Sequence, residues 1–193
     1  MTAAANNTAN VSVGKGLKGG YLFSAPVGTA LPTKYDTKAE DLDDAFVNLG
    51  YVSEDGINNA IDQDSENFPD MNGDTIESAS STYTETLVFT LVEQKKDTLA
   101  EEYGHANVTD AGGQITAKHN SDPREQRSYV MLLVLKDGRR QTSVVPKGQV
   151  TEVGEKQYVS TDLIGRELTV TCYPNENGDC VIDYIESTET SAD

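Results

Sequence analysis

RSYVMLLVLKDGRRQTSVVP, Arg127–Pro146, is the stretch whose reading decides the fold. Two β-rich arms, SYVMLLVLK and RRQTSVVP, flank Asp137-Gly138. That pair favours a tight hairpin turn because both central residues must take positive φ. Other stretches carry the same grammar. Tyr83–Glu93 (YTETLVFTLVE) sets Leu87, Phe89 and Leu91 on one face and Val88, Thr90 and Val92 on the other, as in a strand buried on one side. Residues 20–24 and Gln114–His119 read as strands, and Val150–Tyr158 as another, interrupted at Gly154. Glu167–Tyr173 and Cys180–Glu186 are expected to close as a final hairpin through Pro174–Asp179. Seven or eight strands, with no repeat and no linker, predict one mainly β domain.

Two short helices are expected beside the strands. Lys95–Tyr103 (KKDTLAEEY) has Asp97-Thr98 as its start, Leu99, Ala100 and Tyr103 as its apolar face, and Gly104 as its stop. In Leu42–Ile57 (LDDAFVNLGYVSEDGI), Leu42, Ala45, Phe46 and Leu49 recur at three- and four-residue spacing, with Gly50 placed as a C-cap. Tyr51-Val52 then starts a strand, and Glu54-Asp55-Gly56 reads as a turn.

Residues 53–82 contain few large apolar side chains and read as a long acidic loop, a length that points to function or disorder. Its acidity invites a calcium reading. Asp62-Gln-Asp64-Ser-Glu66-Asn67 lacks the sixth-position glycine and terminal Glu, and Asp70-Met-Asn72-Gly73-Asp74 has its glycine too early. A solvated or partner-facing loop is expected instead. Residues 1–18 are small and polar and read as a flexible arm, and 187–193 as a frayed tail.

The composition narrows the function classes. The 193 residues carry 15 Lys and Arg against 32 Asp and Glu, a formal charge of −17, which repels nucleic acid and anionic membrane. No apolar run approaches a membrane span, and the polar start is not a signal peptide, so synthesis in a cytoplasm is expected. Without secretion, Asn107-Val108-Thr109 is no glycosylation site. Gly14–Gly19 matches GxGxxG, but Pro26, Gly28 and Pro32 forbid the helix that must follow. Cys172 and Cys180 flank an apparent turn. A cross-strand disulfide is geometrically open to them, and two free thiols are the expectation in a reducing cytosol. His105 and His119 have no companion motif, so each reads as a surface or boundary residue; no catalytic, metal or cofactor site is expected.

One ordered set of short motifs carries a resemblance. Ala25-Pro26, Gly28-Thr29, Leu31-Pro32-Thr33, Leu42, Ala45-Phe46 and Leu49–Gly56, with Gly50, Tyr51 and Gly56 among them, follow one another along the chain. Thr86–Glu93, Tyr103-Gly104 with Asn107–Thr109, and Val150–Gly154 follow in turn. Over residues 19–186 the set resembles the tail tube proteins, or major tail proteins, of long-tailed phages infecting Gram-positive bacteria. The resemblance implies a β-sandwich or barrel flanked by a helix, in subunits that form hexameric rings stacked into a DNA conduit. It also implies tape-measure and tail-tip or terminator partners, DNA passing without specific binding, and a place in the virion after assembly in the host cytoplasm.

Under that resemblance the acidic loop and the polar arm bridge subunits. Asp62, Asp64, Phe68, Asp70, Met71, Asp74 and Ile76 are the candidate contact residues. The hairpin 127–146 is the candidate lumen wall, with Arg139-Arg140 turned to a subunit interface. The competing readings are the tube of a contractile or secretion-type machine and a monomeric β binding module.

Overall fold

The computed structural model describes residues 6–188. The first five residues of the expected arm and residues 189–193 of the expected tail lie outside the described residues. At the centre is the expected hairpin, formed by β8 (Gln126–Val134) and β9 (Arg140–Val153). Its turn is one residue longer than the expected tight pair: Lys136–Gly138 is closed by the Leu135 N–H on the Arg139 carbonyl (2.7 Å), with Asp137 (φ 62°) and Gly138 (φ 84°) both left-handed.

Two broken strands flank this hairpin. β1 (Lys15–Gly16) and β2 (Leu22–Pro26) share the outer edge of β8, with residues 17–21 looping out between them. β10 (Arg166–Cys172) and β11 (Ile182–Ile185) share the outer edge of β9. β3 (Val47–Asn48), β4 (Val52–Pro69) and β5 (Thr75–Leu91) complete the order β3-β2-β8-β9-β10-β5-β4. β6 (Val108–Ala111) and β7 (Gln114–Ala117) form a separate ribbon after α1 (Lys96–Tyr103), and α1 stops at Gly104 as expected.

The order is open at both ends, but the sheet rolls up. Leu22 of β2 and Leu87, Phe89 and Leu91 of β5 lie far apart in the order and share one core with Tyr129, Val145, Leu168 and Val170. On the opposite face, Phe23, Val130, Leu132 and Val144 make a second core under Leu42, Phe46 and Tyr184. The central hairpin is thus covered on both faces. That rules it out as a lumen wall, and Arg139 and Arg140 bond within the chain, to the carbonyls of Glu186 (3.3 Å) and Thr37 (2.8 Å).

Several local expectations are corrected. Residues 42–49 form no α-helix. One 3₁₀ turn, Ala39–Asp41, precedes an Asx turn in which Asp43 Oδ1 accepts from the Ala45 N–H (2.9 Å), and the Leu49 N–H goes to the Leu22 carbonyl (2.9 Å). The three- and four-residue spacing still turns Leu42, Phe46 and Leu49 inward; it records burial rather than helix.

The last two strands do not pair with each other. Cys172 faces Gly148 and Ile182 faces Val144, so both run along β9, and Pro174–Asp179 is an excursion from a single track. A 14-residue β9 has edge enough for both, and filling it satisfies more backbone than a terminal hairpin would. The strand expected at Val150 is the far half of this same β9. Pro146, which has no N–H to donate, is absorbed where the β8 register shifts between Arg127 and Tyr129.

The largest correction concerns residues 53–82, which are an ordered hairpin and not a loop. β4 and β5 pair from Ile57 with Phe89 out to Pro69 with Thr75. Backbone groups satisfied in the ladder need no apolar burial, and for that reason the composition concealed the strands. Glu54-Asp55-Gly56, expected as a turn, lies in an irregularity of β4, four residues opposite one, with Gly56 at φ 77°. The described part of the N-terminal arm is likewise fixed. Lys15 and Gly16 pair with Val134 and Leu133, and the Lys136 N–H donates to Ser12 Oγ (2.9 Å). β1 takes the edge of β8 that β2 leaves open.

Candidate assembly surface

Beyond the pair Ile61–Glu85, β4 and β5 are in ladder with each other and with no other described strand. Residues 62–69 and 75–84 therefore leave the body as a two-stranded arm about 30 Å long. Residues 62–84 carry six Asp or Glu and no Lys, Arg or His, and all fifteen basic side chains of the protein lie outside Val52–Leu91.

The structure distributes the candidate contact residues along this arm. Asp62, Asp64 and Phe68 stand on β4, Ile76 on β5, and Asp70, Met71 and Asp74 at the tip. Ile61, Phe68, Met71, Ile76 and Tyr83 are exposed, Met71 completely. Asp70 makes the turn itself, its Oδ1 accepting from the N–H groups of Asn72 (2.8 Å) and Asp74 (2.9 Å). Those backbone bonds, from Asp74 first and then Asn72, hold its carboxyl below the usual carboxylate value. This is a turn-building aspartate. β4 also ends the strand order: among the described residues no strand pairs with its outer edge.

The signature residues serve the scaffold. Ala25 is buried at the end of β2, Pro26 and Gly28 (φ 95°) shape the turn after it, and Thr29 Oγ1 closes that turn onto the Pro26 carbonyl (2.8 Å). Leu42 and Phe46 pack on the second core, whereas Ala45 is exposed. Gly50 (φ 85°) lets the chain cross from β3 to β4, where a Cβ would run into the Glu93 carboxyl. Glu93 accepts the Tyr51 N–H (3.0 Å), and the Val52 N–H donates to Tyr21 Oη (2.6 Å), which joins the two ends of the rolled sheet.

Sequence reasoning missed a buried charge network that fixes α1. Glu101 accepts from Tyr129 Oη (3.0 Å) and Ser24 Oγ, forms ion pairs with Arg127 Nε (3.1 Å) and His105 Nε2 (3.2 Å), and the Arg127 Nε–H itself donates to Ser24 Oγ (3.2 Å). Burial raises its pKa, but the His105 bond, the Arg127 charge and the Ser24 bond outweigh burial and hold it below the ordinary value. Ser24 is wholly buried behind this carboxylate, so the Ser–Glu–His grouping has no face for a substrate. Glu102 takes Lys156 Nζ at 2.9 Å and has Arg166 Nε 3.9 Å away. His119 stacks on Tyr103, ring centroids 4.1 Å apart. Among the described residues no group of three or more His, Cys, Asp or Glu is placed to hold a metal ion, and no helix is long and apolar enough to cross a membrane. Nothing in the residue pattern of KKDTLAEEY says that two adjacent glutamates are buried, because that depends on bases 26 to 64 residues further on.

Among the described residues the outer edge of β4 carries no neighbouring strand, the kind of surface on which another chain can add a strand. The family comparison makes this specific: the chain belongs to the phage tail tube protein family, whose model matches residues 3–192. It is thereby a structural component of a phage tail. No curated protein sequence matches it. Among solved structures it is similar to the tube-terminating cap of the anti-feeding prophage, at 13% identity and TM-score 0.44, over 96% of this chain and 100% of that one. The extended sheath–tube complex of the PVC extracellular contractile injection system aligns at 12% identity and TM-score 0.46, over 86% and 89%. The sheath/tube terminator of that system aligns at 11% and 0.38, over 88% and 96%.

Proposed function

We propose that this chain forms hexameric rings that stack into the tube of a long-tailed phage, the conduit through which DNA leaves the virion. The observation that carries the reading is the β4–β5 arm, about 30 Å of ladder with exposed Ile61, Phe68, Met71 and Ile76, at the end of the strand order. A monomer gains nothing by holding such an edge in water, where it invites random pairing. In a ring the edge is paired and the apolar side chains are covered by the neighbour.

The charge fits the conduit. At −17 the wall presents DNA with few cations to displace its counterions, so the polyanion slides without sticking. Assembly in the host cytoplasm, a tape-measure protein in the lumen and tail-tip or terminator proteins at the ends complete the proposal. The chain performs no catalysis in this role.

Negative-stain electron microscopy of the purified protein at rising concentration, beside a sizing column, tests it. Hexameric rings or tubes with a central hole are the expected result. A monomer that persists at high concentration, even after addition of tail-tip components, would overturn it in favour of a binding module.

A further inference from the structure

The tip of the arm and a hollow at its foot complement each other, yet one molecule holds them apart. The turn between Pro69 and Thr75 carries Met71 fully exposed between Asp70 and Asp74, and residues 62–84 contain no base. At the other end of the β4–β5 ladder, just before Val52, Tyr51 stands 69% exposed. Tyr51 forms one wall of a hollow of about 540 Å³, with Leu17, Lys18, Tyr21 and Lys95 among the other walls. That is ample room for the end of a hairpin. Lys95 holds Glu93 (2.8 Å), which also lines the hollow, so the exposed Lys18 leaves the lining net positive.

The chemistry of each piece fits the other. A methionine thioether packs favourably on aromatic rings, which Tyr21 and Tyr51 supply, and the acidic turn finds its counter-charge in Lys18. A neighbouring hollow also reaches the start of β4, but Glu54, Asp55, Glu155, Asp162 and Glu167 line it without a base, and it repels the same tip.

Reach decides which molecule supplies the tip. Val52 faces Leu91 and Pro69 faces Thr75, about 50 Å apart along β5. Residues 62–69 of β4 are all exposed, so the arm does not fold back onto the body. Met71 and Tyr51 are therefore left uncovered at the two ends of one ladder. A second copy placed head to tail covers both, and because that contact leaves a free tip and a free hollow at its ends, it extends into a stack.

We propose that the arm tip of one copy seats in the hollow at the foot of β4 on the next, with Met71 against Tyr21 and Tyr51 and Asp74 against Lys18. The proposal rests on the tube reading above and names the contact that joins successive copies.

Two measurements on the full-length chain test it. In the first, Lys18→Glu, Asp74→Lys and Met71→Asp are compared with wild type for tube growth. All three side chains are exposed, and thermal melting checks that each variant folds. Each change is expected to raise the concentration needed for tubes about tenfold or more, and Lys18→Glu combined with Asp74→Lys is expected to restore growth. Normal growth in the single variants, or no recovery in the combined one, would overturn the proposal and leave the tube reading standing.

In the second, Met71→Cys with Tyr51→Cys is oxidised by glutathione disulfide, which takes up the two electrons released as the new S–S bond forms. A ladder of disulfide-linked multimers is expected, whereas either single variant should stop at dimers. The buried Cys172 and Cys180 should stay out of the links. Mass spectrometry of mixed unlabelled and ¹⁵N-labelled protein should place the bond between copies. Tubes that form without the ladder would overturn the proposal alone. The ladder from a protein that never forms tubes would uphold this contact and defeat the tube reading instead.

Discussion

Lys156 Nζ lies 2.9 Å from Glu102 Oε2, with the two side chains 3% and 0% exposed, in a protein whose other charges mostly face water. The pair bolts a long loop to the short helix α1, and Arg124 adds a bond from its Nη2 to the Glu102 carbonyl (2.8 Å). Removing one partner leaves the other buried without its charge. Lys156→Met is therefore expected to destabilise the fold by about 3–5 kcal/mol in urea titrations. The double change Lys156→Met with Glu102→Leu should recover part of that loss, since the buried pair leaves together and only Arg166, 3.9 Å from Glu102 and 18% exposed, loses its carboxylate.

The Glu101 cluster predicts a pH dependence with a definite sign. Its carboxyl is held below the ordinary value of 4.5, against the opposing effect of burial, by His105, Arg127 and Ser24. A depressed carboxylate contributes its full stability above the unfolded value and loses it as pH falls through the folded value. Unfolding free energy should thus drop below pH 4.5. Glu101→Gln should be less stable at pH 7, with the gap to wild type narrowing on acidification. A gap that stays constant down to pH 2 would contradict the account.

At Gly50 the φ of 85° and the Glu93 carboxyl both oppose a side chain. Gly50→Ala is expected to cost about 1–3 kcal/mol, more than an ordinary surface glycine change, because strain and displacement of the Glu93–Tyr51 bond add. Thermal melts of Gly50→Ala and Gly56→Ala separate the two terms, since at Gly56 (φ 77°) a Cβ meets nothing within 4 Å.

The arm can be removed along its own register. Joining Ile61 to Glu85, which face each other, through an Asn-Gly turn deletes residues 62–84 without cutting the core. The shortened body is expected to melt within a few degrees of wild type and to form no tubes by negative stain. Tubes of normal length from this variant would remove the arm from the assembly account.

Cys172 and Cys180 are free and buried. Burial first, then the Glu85 charge and Cys180, push the Cys172 thiol up to about 12. Its thiolate fraction at pH 8 is then roughly a thousandfold below that of an ordinary thiol, so a disulfide-exchange reagent should modify it only after denaturation.

The sequence by itself determined what depends on neighbours along the chain. Asp137-Gly138 sets its hairpin through local φ, the alternation of Leu87, Phe89 and Leu91 marks a half-buried strand, Gly104 stops α1, and the ordered motifs from Ala25 to Gly56 indicate the family. Only the tertiary structure decided the rest. The arm's strands carry few apolar side chains and no regular alternation, so no periodicity announces them, and they exist because each is the other's hydrogen-bond partner. Residues 42–49 carry a helical spacing that the Asp43 turn and the Leu22 carbonyl override. Glu101 and Glu102 look like any exposed helical acids until Arg127, Lys156 and Arg166 arrive from three later segments to enclose them. Such partners act through space, and their spacing along the chain carries no trace of it.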